Sequence, residues 1–321
     1  MLQYSLRRIL GMIPLLLLIS VVVFTLAKMM PGDPFAGEID PSNTNPEYIA
    51  EMREKLGYND PILVQYGRWI SDFVQGDFGK STVYKKPASE IIAQRIPNTL
   101  FLAITSLILT YIFSFIMGMY AGRKPFTIGD NLIAGYNYLA LAIPSFVAGI
   151  VAIYFFSFQL GWFPFSGSVA IGVEEGTWEY FLSKMQHVLL PALVLGLMGT
   201  ASYTQFLRND IIDNSRKDFV RTARAKGTRE SKIYNKHILR NSIIPLVTFL
   251  GFDVATLISG AVITETIFTY PGIGQLFLES VNRRDYAVMM SITMLLSFLT
   301  LLGNLIADLL YGVVDPRIRL N

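Results

Sequence analysis

The sequence predicts an all-α membrane protein with six transmembrane helices and a small external helical subdomain after the first of them. Three observations lead there. Of 321 residues, 52% are hydrophobic and only 16% charged, a balance too apolar for an ordinary soluble domain. Six runs, nearly free of charge, each reach the length of about 20 residues that a helix needs to cross the hydrocarbon. The basic residues, finally, are gathered into one segment instead of being spread along the chain.

The six spans run approximately from Ile9 to Met29, Leu100 to Ala121, Leu132 to Phe158, Val188 to Leu207, Ile243 to Ile263 and Ala287 to Val313. The first follows Arg7 and Arg8; it is long and no small-residue cleavage site follows it, so it reads as an uncleaved anchor. Asp253 and Asp308 are the carboxylates inside the spans. Pro14, Pro144, Pro191 and Pro245 lie in or at the edge of spans, where each removes a helix hydrogen bond and permits a bend. Such bends serve as ordinary membrane-helix irregularity or as hinges. Gly118 and Gly122 stand one turn apart, a spacing that allows a neighbouring helix to approach closely.

Lys and Arg are retained on the cytoplasmic side, and this sets the orientation. With the N-terminus inside, the internal segments hold 16 basic and 6 acidic residues, and the external ones, counting Lys28 at the outer end of the first span, 11 basic and 16 acidic. Both termini are therefore expected in the cytoplasm. The stretch from Arg208 to Arg240, with 10 basic residues, contributes most to this assignment.

Between the first two spans lies an external segment too long for a simple loop and small for an independent core. Asn45-Pro46 reads as a helix start, Glu51 and Lys55 can pair across a turn, and Gly57 is a stop. Asp60-Pro61 begins a second helix whose Leu63, Tyr66, Ile70 and Phe73 form one apolar stripe, ended by Gly76. That stripe is either a packed face or a docking surface for an external partner. Gly79-Lys80-Ser81 has the ending of a phosphate-binding loop, but Val74 stands where the upstream glycine is required. The chain is not expected to bind ATP.

The segment between spans four and five is long, basic and patterned. It reads Arg208-Asn209-Asp210, then Asp218-Phe219-Val220-Arg221-Thr222-Ala223-Arg224-Ala225-Lys226-Gly227, and later His237 through Pro245. Asp218 is placed to cap a helix whose Phe219 and Ala223 share a face and which Gly227 ends; a second helix starts near Thr228 or Ser231. Such a pair suits insertion into a groove on a cytosolic partner. The alternative is a basic loop that fixes topology or touches anionic lipid.

At these residues the sequence resembles the peptide-transport permeases of bacterial ABC importers, in particular the B-type subunit of oligopeptide and dipeptide systems. The resemblance covers nearly the whole chain. It includes Pro31-Gly32-Asp33-Pro34, Leu56-Gly57 to Trp69, Leu189-Leu190-Pro191-Ala192-Leu193, Arg221 to Gly227, Phe268-Thr269-Tyr270-Pro271-Gly272-Ile273-Gly274 and Asp315-Pro316-Arg317. It implies a type I ABC importer permease fold. Residues 1–29 would be the anchor, 30–97 the external segment, 98–313 the permease core with a coupling loop at 208–242, and 314–321 a tail. The loop resembles the family's coupling loop, although Arg221-Thr222-Ala223 replaces the acidic start of its general form and Gly227 lies farther from Pro245.

The resemblance further implies that Arg221, Thr222, Ala223, Arg224, Ala225, Lys226, Gly227 and Ser231 couple to an ATPase subunit. It implies as partners a homologous second permease, two ATPase subunits, an external peptide-binding protein and the bilayer of a bacterial plasma membrane, and no nucleic acid. ATP and Mg would bind on partner subunits, with no cofactor on this chain. For the pathway, Asp253 is placed to meet a peptide amino group or to hydrogen-bond a Thr or Ser of a neighbouring span. Glu265 is placed near an external gate or in a buried interface.

The wider family also handles nickel, glutathione and sugars. An ion-coupled secondary transporter would carry more intramembrane ionisable groups and repeated halves. An intramembrane enzyme would need a nucleophile with a base or metal, and the chain has no cysteine and only His187 and His237, far apart.

Overall fold

In the computed structural model the described residues are 2–30, 47, 50, 51, 54, 57, 59–243, 246, 249, 253 and 262–314, with side chains described from 8 to 305. Among them every regular element is a helix. The helices are α1 (Leu2–Met29), α2 (Ile62–Val74), α3 (Ala88–Arg123), α4 (Ile128–Ala142) and α5 (Ser145–Ala152), which continues as a π-helical Ile153–Gln159. Then come α6 (Trp178–Ser215), α7 (Asp218–Ala225) and α8 (Glu230–Lys232), which runs through a π-helical Ile233–Ile238 into Leu239–Ser242. The chain closes with α9 (Val262–Ile267), α10 (Ile273–Asn282) and α11 (Tyr286–Val314).

Among the described residues four helices are long and apolar enough to cross a membrane, and a fifth crossing results if α4 and α5 form one broken span. The break falls at Pro144 and turns the chain by 103°. Of the predicted proline bends, this is the large one; Pro14 and Pro191 lie inside continuous helices. The predicted span from Ile243 to Ile263, with Pro245, lies largely outside the described residues. The helix predicted from Asn45 does too, although Gly57 has the left-handed backbone, φ 71°, that suits a helix stop.

Large apolar side chains stand exposed along α1, α3 and the α4–α5 pair, among them Leu18, Ile116 and Leu139, as expected of surfaces that face acyl chains. Helices α3 and α6 have 36 and 38 residues. At a rise of about 1.5 Å per residue each is far longer than the ~30 Å hydrocarbon layer, so both project beyond it. Because α3 begins at Ala88, Pro97 lies inside a helix, and the end of the predicted external segment is the root of the second span.

Helix α2 packs on α1 through an aromatic row. Phe24 meets Tyr66 and Trp69 at 5.5 and 5.7 Å between ring centres, Trp69 meets Phe73, and Phe73 meets Phe78 at 4.8 Å. Tyr66 OH shares a hydrogen bond with Ser20 Oγ, and Lys28 donates to Gln65. The apolar stripe read from the sequence is thus a packed face for Tyr66 and Phe73, whereas Leu63 is 80% exposed, one turn before the contact begins.

Candidate functional site

The basic segment folds into a helical elbow. Helix α7 ends in a left-handed Gly227, φ 70°. Gly227 N–H donates to Arg224 O and Thr228 N–H to Ala223 O, the paired bonds of a Schellman stop, which satisfy carbonyls the helix end would leave open. Arg221, Thr222, Arg224, Ala225, Lys226, Gly227 and Ser231 are exposed, while Ala223 is buried. Seven of the eight residues assigned to partner contact are thus available on the surface, and the eighth packs inward.

The elbow's buried face is made by Val220 and Ala223, joined by Ile233 and Ile238 of the π-helical turn and by Leu207 and Ile211 of α6. This corrects the expected pairing of Phe219 with Ala223. Positions 220 and 223 lie three apart on one face, and Phe219 falls outside it, 37% exposed. Asp218 is likewise the first helical residue rather than the cap, which is Lys217 with no side-chain bond; the Asp218 carboxylate instead stands 3.6 Å from Arg221. Arg224 Nε lies 2.6 Å from Glu230 and clamps the two arms of the elbow. The guanidinium holds the Glu230 carboxyl below its usual range.

Above the elbow, α3 and α6 are in intimate contact. A Cβ on Gly118 would lie 2.9 Å from Leu207 Cβ, and one on Gly122 would lie 2.8 Å from Ile211 Cβ. The two glycines therefore seat the same side chains on which the elbow rests. Beside them Arg208 binds Asp130 with two bonds, Nε at 2.6 Å and Nη2 at 2.7 Å.

Asp253 accepts hydrogen bonds from Tyr111 OH of α3 and Tyr203 OH of α6 at 2.6 and 2.7 Å. Two of its partners are thus phenols of neighbouring spans. A phenol reaches farther than a short hydroxyl side chain, and the two rings lie 5.3 Å apart.

Glu265 is fully buried at the corner between α9 and α10. It accepts from Thr99 Oγ1 at 2.7 Å and from the N–H groups of Gly274 and Gln275 at 2.7 and 3.1 Å, so its charge faces a helix N-terminus. Thr99 Oγ1 in turn accepts from Ile273 N–H, and Asn98 donates to Pro271 O. The Tyr270-to-Gly274 run is thereby tied to α3. The Glu265 carboxylate is thus enclosed by groups of α3 and α10.

Asp285 plays a matching part for the Gly79-Lys80-Ser81 run. Its carboxylate accepts from Ser81 Oγ and from the N–H groups of Thr82 and Val83. Ser81 Oγ also accepts from Tyr84 N–H at 2.8 Å. The run is a turn stapled to the start of α11, with no phosphate-loop geometry. His187 is buried and its Nδ1 donates to Ser183 O. Among the described residues no cluster of His, Asp and Glu is placed to hold a metal.

The sequence reading missed Asp130, Asp285 and the two tyrosines. One signal was available. Thr127 and Asp130 have the spacing of a helix-start capping pair, and Thr127 Oγ1 does accept from Asp130 N–H. Nothing local marks the other three, whose partners are remote in sequence.

Residues 114–320 match the family described as binding-protein-dependent transport system inner membrane component, and residues 1–105 match its N-terminal companion. The oligopeptide transport system permease protein AppB of Bacillus subtilis is 41% identical over 320 residues, covering 99% of this chain and 100% of the relative. The glutathione transport system permease protein GsiC is 38% identical in Salmonella paratyphi A and 37% in Escherichia coli K12, with 99% of both chains covered in each case. With apolar spans, a projecting basic elbow and matches across its whole length, this chain belongs to the binding-protein-dependent transport system inner membrane components, the permeases of ABC importers, in their peptide-transport branch.

Proposed function

We propose that this chain forms, with a homologous second permease, the membrane channel of an importer that takes oligopeptides from an external binding protein. Two separate ATPase subunits would bind ATP and Mg and dock on the elbow. The observation that carries this reading is the elbow itself, an exposed basic helix stopped by Gly227 and fused through Val220, Ile233 and Ile238 to a membrane-crossing helix. A rigid element of this kind turns closure of a motor into tilting of the spans.

Both termini would lie in the cytoplasm, which the concentration of basic charge from Arg208 to Arg240 supports. Asp253, held between two tyrosines, would line the path, while Glu265 would set the rigidity of the outer corner beside it. The segment preceding α3 would rest on the outer face, with α2 as its packed part.

The experiment is to express this chain in its native host, isolate it in its complex and ask whether ATPase subunits co-purify. Uptake into vesicles of labelled peptides of graded length, and of glutathione, follows. Glutathione is the second reading, because relatives named as glutathione transport permeases are nearly as similar. ATP-dependent uptake of peptides of several lengths supports the first; uptake confined to glutathione supports the second. The chain has no native cysteine, so a single T222C variant reports the side of the elbow cleanly. Labelling of that variant from outside intact cells would refute the orientation.

A further inference from the structure

Helix α6, which bears the elbow, meets α4, the first half of the broken span, along an antiparallel seam. Arg208 faces Asp130 at one end, and farther along Tyr136 OH donates to Leu197 O at 2.6 Å. Asp130 is 1% exposed, and both its oxygens are taken by the Arg208 fork, a geometry that fixes direction as well as distance. The turn before α4 closes on the same carboxylate, since Phe126, held at φ 64°, donates its N–H to Asp130 at 2.7 Å. Asn137 Oδ1 of α4 and Thr204 Oγ1 of α6 are buried and have no hydrogen-bond partner among the described residues.

What α4 receives, it passes on. Beyond the 103° bend at Pro144, α5 packs by Ala148 and Ala152 against Val188, Phe268 and Tyr270, the cluster next to the Glu265 corner. A displacement of α6 at Arg208 therefore has a continuous packed route to the far end of the bundle.

We infer that Asp130 and Arg208 are positioning residues of the transport cycle, an ion pair that makes the broken span α4–α5 follow the elbow-bearing helix. This rests on the reading of the elbow as the ATPase dock.

The test uses the full complex, with binding protein and ATPase subunits, in vesicles, and measures both ATP hydrolysis and peptide uptake for wild type, D130N, R208Q, R208K and the exchange D130R/R208D. The expected result is that D130N and R208Q retain the ATPase subunits and hydrolyse ATP within about twofold of wild type, while uptake per ATP falls about tenfold. R208K should fall between, because an ammonium cannot engage both carboxylate oxygens as the fork does. The exchange should recover part of the ratio. An unchanged uptake-to-hydrolysis ratio in D130N and R208Q overturns the proposal, and so does loss of the ATPase subunits from them, which would make the pair merely structural. A wild-type complex without ATPase subunits would instead overturn the docking reading, and the pair's role with it.

Discussion

The Glu265 carboxylate lies so close to Gly272 that a Cβ at position 272 would stand 2.2 Å from it. Because that carboxylate is held by Thr99, Gly274 and Gln275, it cannot move aside without giving up bonds. G272A is expected to destabilise the purified protein by about 1–3 kcal/mol, the usual cost of overpacking. E265Q should cost a similar ~1.5–3 kcal/mol, since an amide nitrogen cannot accept from the N–H groups the carboxylate serves. Thermal unfolding in detergent measures both, and wild-type melting of either variant would show that the corner is softer than its geometry.

Gly227 stops α7 with φ 70°, a conformation closed to proline and strained for any side chain. Its Cβ would meet no atom within 4 Å, so the penalty is conformational and not steric crowding. G227P should misdirect the second arm of the elbow and abolish ATP-driven uptake while leaving membrane insertion intact. Full uptake by G227P, at normal abundance, would contradict the elbow's role as a rigid lever.

Gly118 and Gly122 admit Leu207 and Ile211. G118V is expected to lower thermal stability by about 1–3 kcal/mol through overpacking. Combined with L207A, which removes the colliding side chain, the loss should be smaller than the sum of the two single losses. Simple additivity in this double-mutant cycle would mean that the two residues do not meet.

Ser81 is bonded to Asp285, whereas the neighbouring Lys80 is exposed. S81A should therefore reduce stability by roughly 1–3 kcal/mol, with K80A within about 0.5 kcal/mol of wild type. Neither should alter ATP-driven uptake by acting on nucleotide. A K80A complex that lost ATP affinity would reinstate the phosphate-loop reading.

Asp253 sits between Tyr111 and Tyr203. D253N preserves size but removes the charge and turns one of the two acceptor oxygens into a donor, so uptake of peptides with a free amino terminus should drop by about tenfold if that charge meets the ammonium. Acetylated peptides, lacking the charge, should be affected far less. Equal losses for both would assign Asp253 to holding α3 and α6 together.

Much of this was legible in the chain. The apolar runs had to become helices in lipid because only a helix satisfies its own backbone there, and the crowd of arginines and lysines after Leu207 marked the elbow. Gly227 was readable as a stop because few residues tolerate its conformation. What failed was the elbow's inner face, where Val220 replaces Phe219. A short helix with few apolar residues leaves its orientation to whatever it packs upon, here Leu207 and Ile211.

The sequence by itself determined the fold class, the spans it could recognise by length, the place of the elbow and the family, since each follows from local composition or a contiguous motif. Only the tertiary structure decided the partners of the carboxylates: Arg208 with Asp130, Tyr111 and Tyr203 with Asp253, Thr99 with Glu265, and Ser81 with Asp285. A carboxylate taken out of water must find donors wherever the fold brings them, and those donors lie up to 204 residues away along the chain. Periodicity can place a charge on a face, but it carries no record of which distant helix that face will meet.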